Sequence, residues 1–241
     1  MKRMLQPSNL NTYFKGLAIT GLVIVSGLTV PVLAQGRLGF RPTSTGAPGN
    51  RESGANRGAC VAGNQKLVAL MPANNLAQTA TSHPALYAYF PGSSAQFAEF
   101  ALYEAGSNEL IYGTLFNVTG EAGLVTIDVP DTATVSPLRI GQRYDWQLKL
   151  ICDVSDPAGD MRVEGSFERV DSGNVNQQLQ GVPVEQQPFI YAEAGLWPET
   201  IASLIKASEV NRTTAEQNLK DLLDSDPIEL TTQLPSGPLL P

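Results

Sequence analysis

The stretch Tyr144-Asp-Trp-Gln-Leu-Lys-Leu-Ile-Cys152 decides the fold class of this chain. Its apolar and polar residues alternate, so that Trp146 and Leu148 project to one face of an extended strand and Asp145 and Lys149 to the other. This period of two is typical of a sheet with one buried and one solvated face. The pattern therefore predicts a mainly β protein.

Seven strand-like segments lie between residues 66 and 170, separated by turn residues. The predicted strands are Leu67–Met71, Leu86–Phe90, Phe97–Glu104, Leu110–Val118, Leu124–Val129, Tyr144–Cys152 and Arg162–Val170. No helical pattern interrupts them, so residues 60–171 are predicted to form an antiparallel β-sandwich with an Ig-like layout of about seven strands. Cys60 precedes the first strand and Trp146 shares a strand with Cys152, so the prediction covers the architecture and not the immunoglobulin topology.

The chain changes character after the last predicted strand. Residues 172–188 are polar and Gln-rich and are predicted to be a linker. Residues 189–226 have the apolar spacing of a short C-terminal helical unit, whose last helix is predicted to open with a capping box of Thr213 and Glu216. Residues 227–241 contain four prolines and are predicted to be a disordered tail.

The first 34 residues have the three-part layout of a signal peptide. Basic residues precede an uncharged run from Gly16 to Ala34 with an apolar core, and Pro31 and the small Ala34 suit a cleavage site. An uncleaved membrane anchor is the alternative, because nineteen uncharged residues nearly span a bilayer. We favour cleavage near Ala34/Gln35, which predicts an extracytoplasmic (periplasmic or secreted) protein.

Residues 35–59 are rich in Gly and Pro and carry Arg37, Arg41, Arg51 and Arg57 against one acid, Glu52. This composition predicts a flexible, solvated basic tail. The alternative is that these arginines dock on an anionic wall polymer or on the protein's own acidic surface.

Net charge limits the partners of the chain. The whole chain carries −7, and without its first 34 residues it keeps 13 basic against 23 acidic residues. Such a surface repels nucleic acid and anionic lipid, so we expect no nucleic-acid partner and no membrane association after signal cleavage.

Several motifs occur together in an order that resembles a known family. They are Arg41-Pro42, Asn56-Arg57-Gly58-Ala59-Cys60, Tyr144-Asp-Trp146, Val163-Glu-Gly165, Gly195 with Trp197, and Leu222-Leu223. Over residues 41–223 the chain resembles the cyanobacterial "domain of unknown function 928" family. The resemblance implies export and a two-part layout, and it implies no activity.

Cys60 and Cys152 are the only cysteines. A metal pair would need further ligands nearby, whereas two cysteines in an exported chain are typical of one disulfide. Because Cys152 shares its face with Trp146, we expect the bridge at the core.

Other candidate chemistry is sparse, and no cofactor is predicted. His83, the only histidine, lies in a turn-like stretch without a nucleophile motif, so no catalytic residue is assigned. Asp153, Asp156 and Asp160 follow the Cys152 strand and are weak calcium candidates, although ordinary turn chemistry explains them as well. Glu99, Glu104 and Glu109 are carboxylates of the kind that glycoside hydrolysis needs.

Trp197 is the weak binding candidate of the helical unit. With Gly195 and Ala207 it loosely matches the turn and second helix of a tetratricopeptide repeat, which suggests either a groove for an extended peptide or a helical hairpin that only covers the sheet. We favour a core position for Trp197, packed near Tyr191, Ile201 and Ile205.

Two functions remain open from the sequence. The first is a non-catalytic binding or structural module of the cell envelope that recognises an envelope protein or a polysaccharide. The second is a wall-glycan hydrolase that uses paired carboxylates. The absence of a recognisable catalytic motif favours the first, and neither the ligand nor the oligomeric state follows from the sequence.

Overall fold

A computed structural model describes residues 36–42, 50–54, 60–61 and 65–240 of the chain. The predicted signal peptide and its cleavage site lie outside these residues. In the described part, no helix has both the length and the apolar character that crossing a bilayer requires.

The described residues form two sheets and four α-helices. The strands are β1 Val68–Ala69, β2 Leu76–Thr79, β3 Ala85–Phe90, β4 Phe97–Glu104, β5 Glu109–Asn117, β6 Gly123–Asp128, β7 Arg143–Ile151 and β8 Met161–Arg169. One sheet has the order β1-β3-β6 and the other the order β2-β8-β7-β4-β5, and neither closes into a barrel. The helices are α1 Val175–Gln178, α2 Gln187–Glu193, α3 Trp197–Ser208 and α4 Arg212–Asp224.

Strand β7 lies at the centre of the larger sheet, and it has one buried and one more exposed face, as its alternation predicts. Its inward residues are almost completely buried, while Asp145 is exposed. Trp146 packs directly over Gly165 of β8, where a Cβ atom would lie 2.5 Å from the indole. The close approach of two strands at this point therefore requires glycine.

The structure corrects the predicted fold in two respects and leaves a third unconfirmed. The described chain has eight strands instead of about seven, because β2 is a strand that the sequence did not predict. The larger sheet is not purely antiparallel, since β2 pairs with β8 in parallel. The Ig-like sandwich layout is not confirmed. Strand β2 escapes prediction because Leu-Ala-Gln-Thr is short and follows directly on a turn at Asn75.

The helical unit is present, but its last helix starts differently from the prediction. The side chain of Asn211 caps α4 by accepting a hydrogen bond from the Thr214 amide at 3.1 Å. The carboxylate of Glu216 instead accepts hydrogen bonds from the amides of Leu239 and Leu240. The predicted capping box is therefore wrong, because Asn211 is a better cap and Glu216 binds the chain end.

Segments predicted to be flexible each contain buried anchors, and many of the other residues described in them are exposed. In the predicted basic tail, Leu38 and Phe40 are buried, and Arg51 donates to the carbonyls of Met71 and Ile228. Four apolar residues of the predicted disordered tail are also buried: Ile228, Leu230, Leu239 and Leu240. The predicted linker contains the short helix α1. Apolar anchors a few residues apart explain this order, since each buries enough surface to hold a short segment.

Candidate binding surfaces

Strands β4 and β5 carry an apolar strip on the outer face of the larger sheet. A tight turn at residues 105–108 joins the two strands, and its Asn108 amide donates to the Glu104 carbonyl at 3.0 Å. The inner residues of β4 are buried in the core, so the alternate residues must face outward. We define the β4–β5 strip as Phe97, Ala101, Tyr103, Leu110 and Leu115.

A β-bulge at Ile111 brings the two leucines of β5 onto the same face. Tyr103 lies opposite Leu110 and Leu102 opposite Tyr112, so Ile111 is the extra residue. Without the bulge, two residues five positions apart would project to opposite faces. The Leu110 side chain instead extends over Gly113, 3.7 Å from the place where a Cβ would stand.

The β4–β5 strip is open to solvent and has a polar border. Leu110 is 57% exposed and Leu115 is 60% exposed, whereas Phe97, Ala101 and Tyr103 are half-buried. Glu99 lies on the same outward face, between Phe97 and Ala101 and opposite Leu115, and its ion pair with Lys149 of β7 makes the strip polar on that side. Apolar surface with a polar border is typical of an interaction site.

The outer edge of β5 also presents backbone groups. The Val118 amide donates to the Gln96 carbonyl, which fixes the alternation of hydrogen-bonded pairs between β4 and β5. It follows that Gly113, Leu115 and Asn117 direct their N–H and C=O groups away from β4. Within the described residues, β5 pairs with β4 alone and ends the sheet. The sequence predicted the strand but contained no signal for its edge position.

A second apolar surface lies on the helical unit and is covered by the chain itself. Residues 36–42, which we call the strap, run along α2, α3 and α4. Leu38 is 1% exposed and Phe40 is 6% exposed, and the Phe40 ring contacts Trp197 edge-to-face with centroids 4.9 Å apart. Gly39, between the two anchors, is exposed.

Ion pairs hold both ends of the strap. Arg37 bonds Asp224 at 2.9 Å and Asp221 at 3.4 Å on α4, and Arg41 pairs with Glu193 on α2. The hydrogen bond from Arg37 lowers the pKa of Asp224, and it is the main cause of that shift. Arg37 and Arg41 thus dock on the protein's own acidic surface, which the sequence left as an alternative, whereas Arg57 lies outside the described residues.

A groove of about 580 Å³ remains open beside the strap. Gly39 borders it, and a Cβ placed on Gly39 would meet no atom within 4 Å. Phe189 and Ile190 of α2 line the opposite side, together with Glu193. The strap therefore occupies only part of the concave surface in which it lies.

Trp197, the sequence's binding candidate, lies in the core under the strap. Its side chain is 1% exposed, and its indole N–H donates to the Leu70 carbonyl at 2.6 Å. Ile201 is buried on the next turn of α3. The main aromatic contact, Phe40, was not foreseen because it lies 157 positions away. Trp197 in this position joins the helical unit to the sheets and is not an accessible anchor for a partner.

Cys60 and Cys152 form a disulfide, with their Cα atoms 5.2 Å apart and 92 positions between them in the chain. Cys60 is buried and Cys152 is half-buried, just past the end of β7. The bridge fastens the chain before β1 to the end of the central strand of the larger sheet.

The three calcium candidates stabilise the turn in which they lie by accepting hydrogen bonds within it. Asp153 accepts from the amide and hydroxyl of Ser155, Asp156 caps the 3-10 turn at Ala158, and Asp160 accepts from the Cys152 amide. The bonds from Ser155 lower the pKa of Asp153. In the described ranges, no three His, Cys, Asp or Glu side chains cluster as metal ligands would.

Of the other candidate groups, only Glu104 and Glu109 lie together among the described residues, whereas Glu99 and His83 lie elsewhere. Glu104 and Glu109 face each other at the turn end of β4 and β5, where Arg139 pairs with Glu104. Glu99 pairs with Lys149 further along β4. The His83 Nδ1 atom lies 3.2 Å from Ser82 Oγ and 3.8 Å from Asp131, so both neighbours approach the same ring nitrogen. A Ser-His-Asp relay needs one partner on each nitrogen, and this arrangement does not provide it.

Glu199, in the first turn of α3, is a buried carboxylate that sequence reasoning missed. Its Oε1 atom accepts hydrogen bonds from Thr79 Oγ1 at 2.9 Å and from the amides of Ala80 and Thr81. Its Oε2 atom is buried without a partner among the described residues. Burial is the main cause of its raised pKa. Glu199 thus fastens α3 to the end of β2, and only its place in a helix's first turn signalled it.

Comparison with known proteins places the chain in a family. The family model described as Domain of Unknown Function (DUF928) matches residues 52–235, and the chain belongs to this family. The sequence-based resemblance is thereby confirmed.

Two further comparisons add little. No curated protein matches the chain. Among solved structures it is similar to the crystal structure of CopC from Methylosinus trichosporium OB3b, with 11% identity, 42% of this chain and 88% of that chain covered, and a TM-score of 0.29. A similarity of this extent defines neither the fold nor the function.

Proposed function

We propose that the mature chain is an exported, non-catalytic module of the cell envelope that binds another protein through the β4–β5 strip. The observation that supports this most is the pair of leucines, Leu110 and Leu115, which remain more than half exposed on an outward sheet face. Large exposed aliphatic residues beside a free strand edge are typical of protein-binding surfaces.

A protein partner fits this strip better than a polysaccharide does. Sugar rings stack on the exposed faces of aromatic side chains, and here Phe97 and Tyr103 are half-buried while the exposed residues are aliphatic. The outward N–H and C=O groups of Gly113 and Leu115 can in addition pair with an extended segment of the partner.

Export is supported by the signal-peptide pattern of residues 1–34 together with the disulfide. Disulfides persist in oxidising compartments and are rare in the cytosol. Both observations agree with an extracytoplasmic location for the mature chain.

The hydrolase alternative has less support from the geometry. Inverting and retaining glycosidases need two carboxyl groups about 5 to 10 Å apart on either side of a bound sugar. Glu104 and Glu109 are cross-strand neighbours at the β4–β5 turn, but Arg139 engages Glu104, and none of the three candidate glutamates borders the groove beside the strap.

A capture experiment with matched variants tests the proposal. The tagged mature chain is crosslinked in the envelope fraction of its own cells, and captured proteins are identified by mass spectrometry. We expect the variant Leu110→Lys/Leu115→Lys to lose capture at least tenfold. Ile140→Lys is the matched control, because Ile140 is 59% exposed outside the strip, and it should capture like wild type.

Equal melting temperatures of all three proteins are required for this comparison. Unchanged capture by the double variant, or binding to isolated wall glycan alone, would contradict a protein-binding strip.

A further inference from the structure

The strap is bound to the helical unit in the way that an extended peptide is bound to its receptor. Its anchors, Leu38 and Phe40, are two positions apart and point into the surface, while Gly39 between them faces outward. Alternate anchors of this kind are the usual recognition mode for extended peptides, in which pockets take every second side chain.

The two surfaces are also complementary in charge. Arg37 and Arg41, at the two ends of the anchor pair, meet Asp221 and Asp224 at one end and Glu193 at the other. The side chains of the two arginines are 68% and 73% exposed, so solvent reaches these ion pairs. Exposed ion pairs select a partner and its orientation more than they stabilise a fold.

The strap adds little backbone pairing to these contacts. The backbone hydrogen bond that the described strap residues make to the helices joins the Arg41 amide to the Ala192 carbonyl at 3.3 Å. A core strand would be held by a complete ladder, whereas the strap depends on its side chains. Side-chain binding of a short segment is the arrangement in which a second segment can replace the first.

The unfilled groove indicates which additional contacts a peptide could make if it took the place of the strap. It lies beside Gly39, and Phe189 and Ile190 form its apolar wall. Gly39 borders this groove, and a Cβ there would meet no atom within 4 Å, so the site has room for a large apolar side chain at this position. Another copy of this chain carries the same glycine and gains nothing by exchange, so a different polypeptide is the better occupant.

We propose that the surface of α2, α3 and α4 around the strap is a peptide-binding site. The strap occupies it in cis. Its ligand is an extended segment of another protein with the pattern Arg-Leu-X-Phe-Arg, in which X is a large apolar residue. This site is distinct from the β4–β5 strip, and the proposal does not depend on it.

Because the strap occupies the site in cis, it lowers the affinity that we expect for an added peptide. A peptide in solution competes with a tethered segment, so its apparent Kd rises by the ratio of closed to open molecules. Weakening the strap without touching the acceptor surface must therefore increase the affinity for added peptide.

The test is a titration of fluorescent peptides with the full mature chain. The probes are Gly-Arg-Leu-Phe-Phe-Arg-Pro, the strap sequence Gly-Arg-Leu-Gly-Phe-Arg-Pro, and a control with both arginines replaced by glutamate. The strap variant Arg37→Glu/Arg41→Glu keeps the buried anchors and repels the acidic acceptor.

We expect this variant to bind the phenylalanine peptide at least tenfold more tightly than wild type does, and more tightly than it binds the strap sequence. The glutamate peptide should not bind. Adding Glu193→Lys and Asp224→Lys to the strap variant should abolish binding of the phenylalanine peptide.

Three results would overturn the proposal. The first is a folded strap variant that binds none of the peptides. The second is a concentration-dependent wild-type dimer that the strap variant no longer forms, because the occupant would then be a second copy. The third is loss of folding in this variant and also in the milder Arg37→Gln/Arg41→Gln, which would make the strap an inseparable part of the fold.

Discussion

The helical unit and the β4–β5 strip are both apolar surfaces, and the chain covers only one of them. On the helical unit, Leu38 and Phe40 are almost completely buried, whereas Leu110 and Leu115 on the strip are more than half exposed. This difference shows which apolar side chains stabilise the fold: the buried ones of the strap do, and the exposed ones of the strip do not. Buried area contributes about 25 cal/mol per Å² to folding, and exposed leucines contribute little of it.

Charge placement distinguishes the two surfaces as well. Acidic side chains meet the arginines of the strap, while β5 carries one charged residue, Glu109, and neither Lys nor Pro. Edge strands are usually protected from pairing by such residues. Bulges also protect edges, and β5 has one at Ile111, but residues 112–117 of β5 carry no charge and no Pro, so this part of the edge is consistent with a surface that a partner can pair with.

The largest expected effect is at the centre of the covered surface. Trp197→Ala should lower the free energy of unfolding by about 4–5 kcal/mol, because it leaves a large cavity and removes the donor to the Leu70 carbonyl. Chemical denaturation measures it. Leu115→Ala is the control and should change stability by less than about 0.5 kcal/mol. Equal stability of Trp197→Ala and wild type would contradict a core position for Trp197.

Removing the aromatic anchor of the strap should have the next largest effect. Phe40→Ala should cost about 3 kcal/mol, since the ring is buried against Trp197 but belongs to a short surface segment. Thermal unfolding of Phe40→Ala beside Leu110→Ala tests the comparison directly. A loss as small as that of Leu110→Ala would mean that the strap does not contribute to stability.

Two glycine-to-alanine substitutions compare the two faces of the larger sheet. Gly165→Ala should cost about 1–3 kcal/mol, because the added methyl would lie 2.5 Å from the Trp146 ring. Gly113→Ala, on the same face as the strip, meets Leu110 at 3.7 Å and the Phe100 carbonyl at 3.9 Å, both ordinary contacts, and should be neutral or slightly stabilising. The denaturant midpoints of the two variants test this prediction. Equal losses of stability would contradict the packing of Trp146 over Gly165.

The smallest effect concerns the pH dependence contributed by Glu199. Burial raises its pKa in the folded protein, so the folded state favours the protonated acid. Its contribution to stability is then complete below the ordinary pKa of an unfolded glutamate and is lost as pH rises through the raised pKa of the folded state. Compared with Glu199→Gln, wild type should gain stability between pH 7 and pH 4. Parallel stability curves of the two proteins would show that the carboxylate is not desolvated.

Local pattern predicted much of the fold and little of the candidate sites. All seven predicted strands begin within one residue of an observed strand, because strand patterns are visible in the sequence itself. The short β2 was missed, since its parallel partner β8 lies about 90 positions later. The strap was interpreted as flexible because only the acids of α2 and α4, far away in the chain, give its arginines partners.

The candidate surfaces depend on tertiary position in the same way. The sequence predicted β5 but not that it ends a sheet, and it singled out Trp197 but not the ring that packs on it. The disulfide could be predicted from two cysteines together with the signal-peptide pattern of an exported chain. Exposure of Leu110 and Leu115 could not, because a bulge of one residue decides it.

The parallel pairing of β2 with β8 determines the order in which this chain can mature. Leu76 needs Ser166 as its neighbour, and Cys60 needs Cys152, so both closures join residues about 90 positions apart. Closing loops of this length is entropically costly, and chains rich in such pairings fold slowly. A nascent chain that ends before residue 161 has β2 without its partner strand. Completion of the larger sheet is therefore a late event, and until then the earlier strands need protection from aggregation.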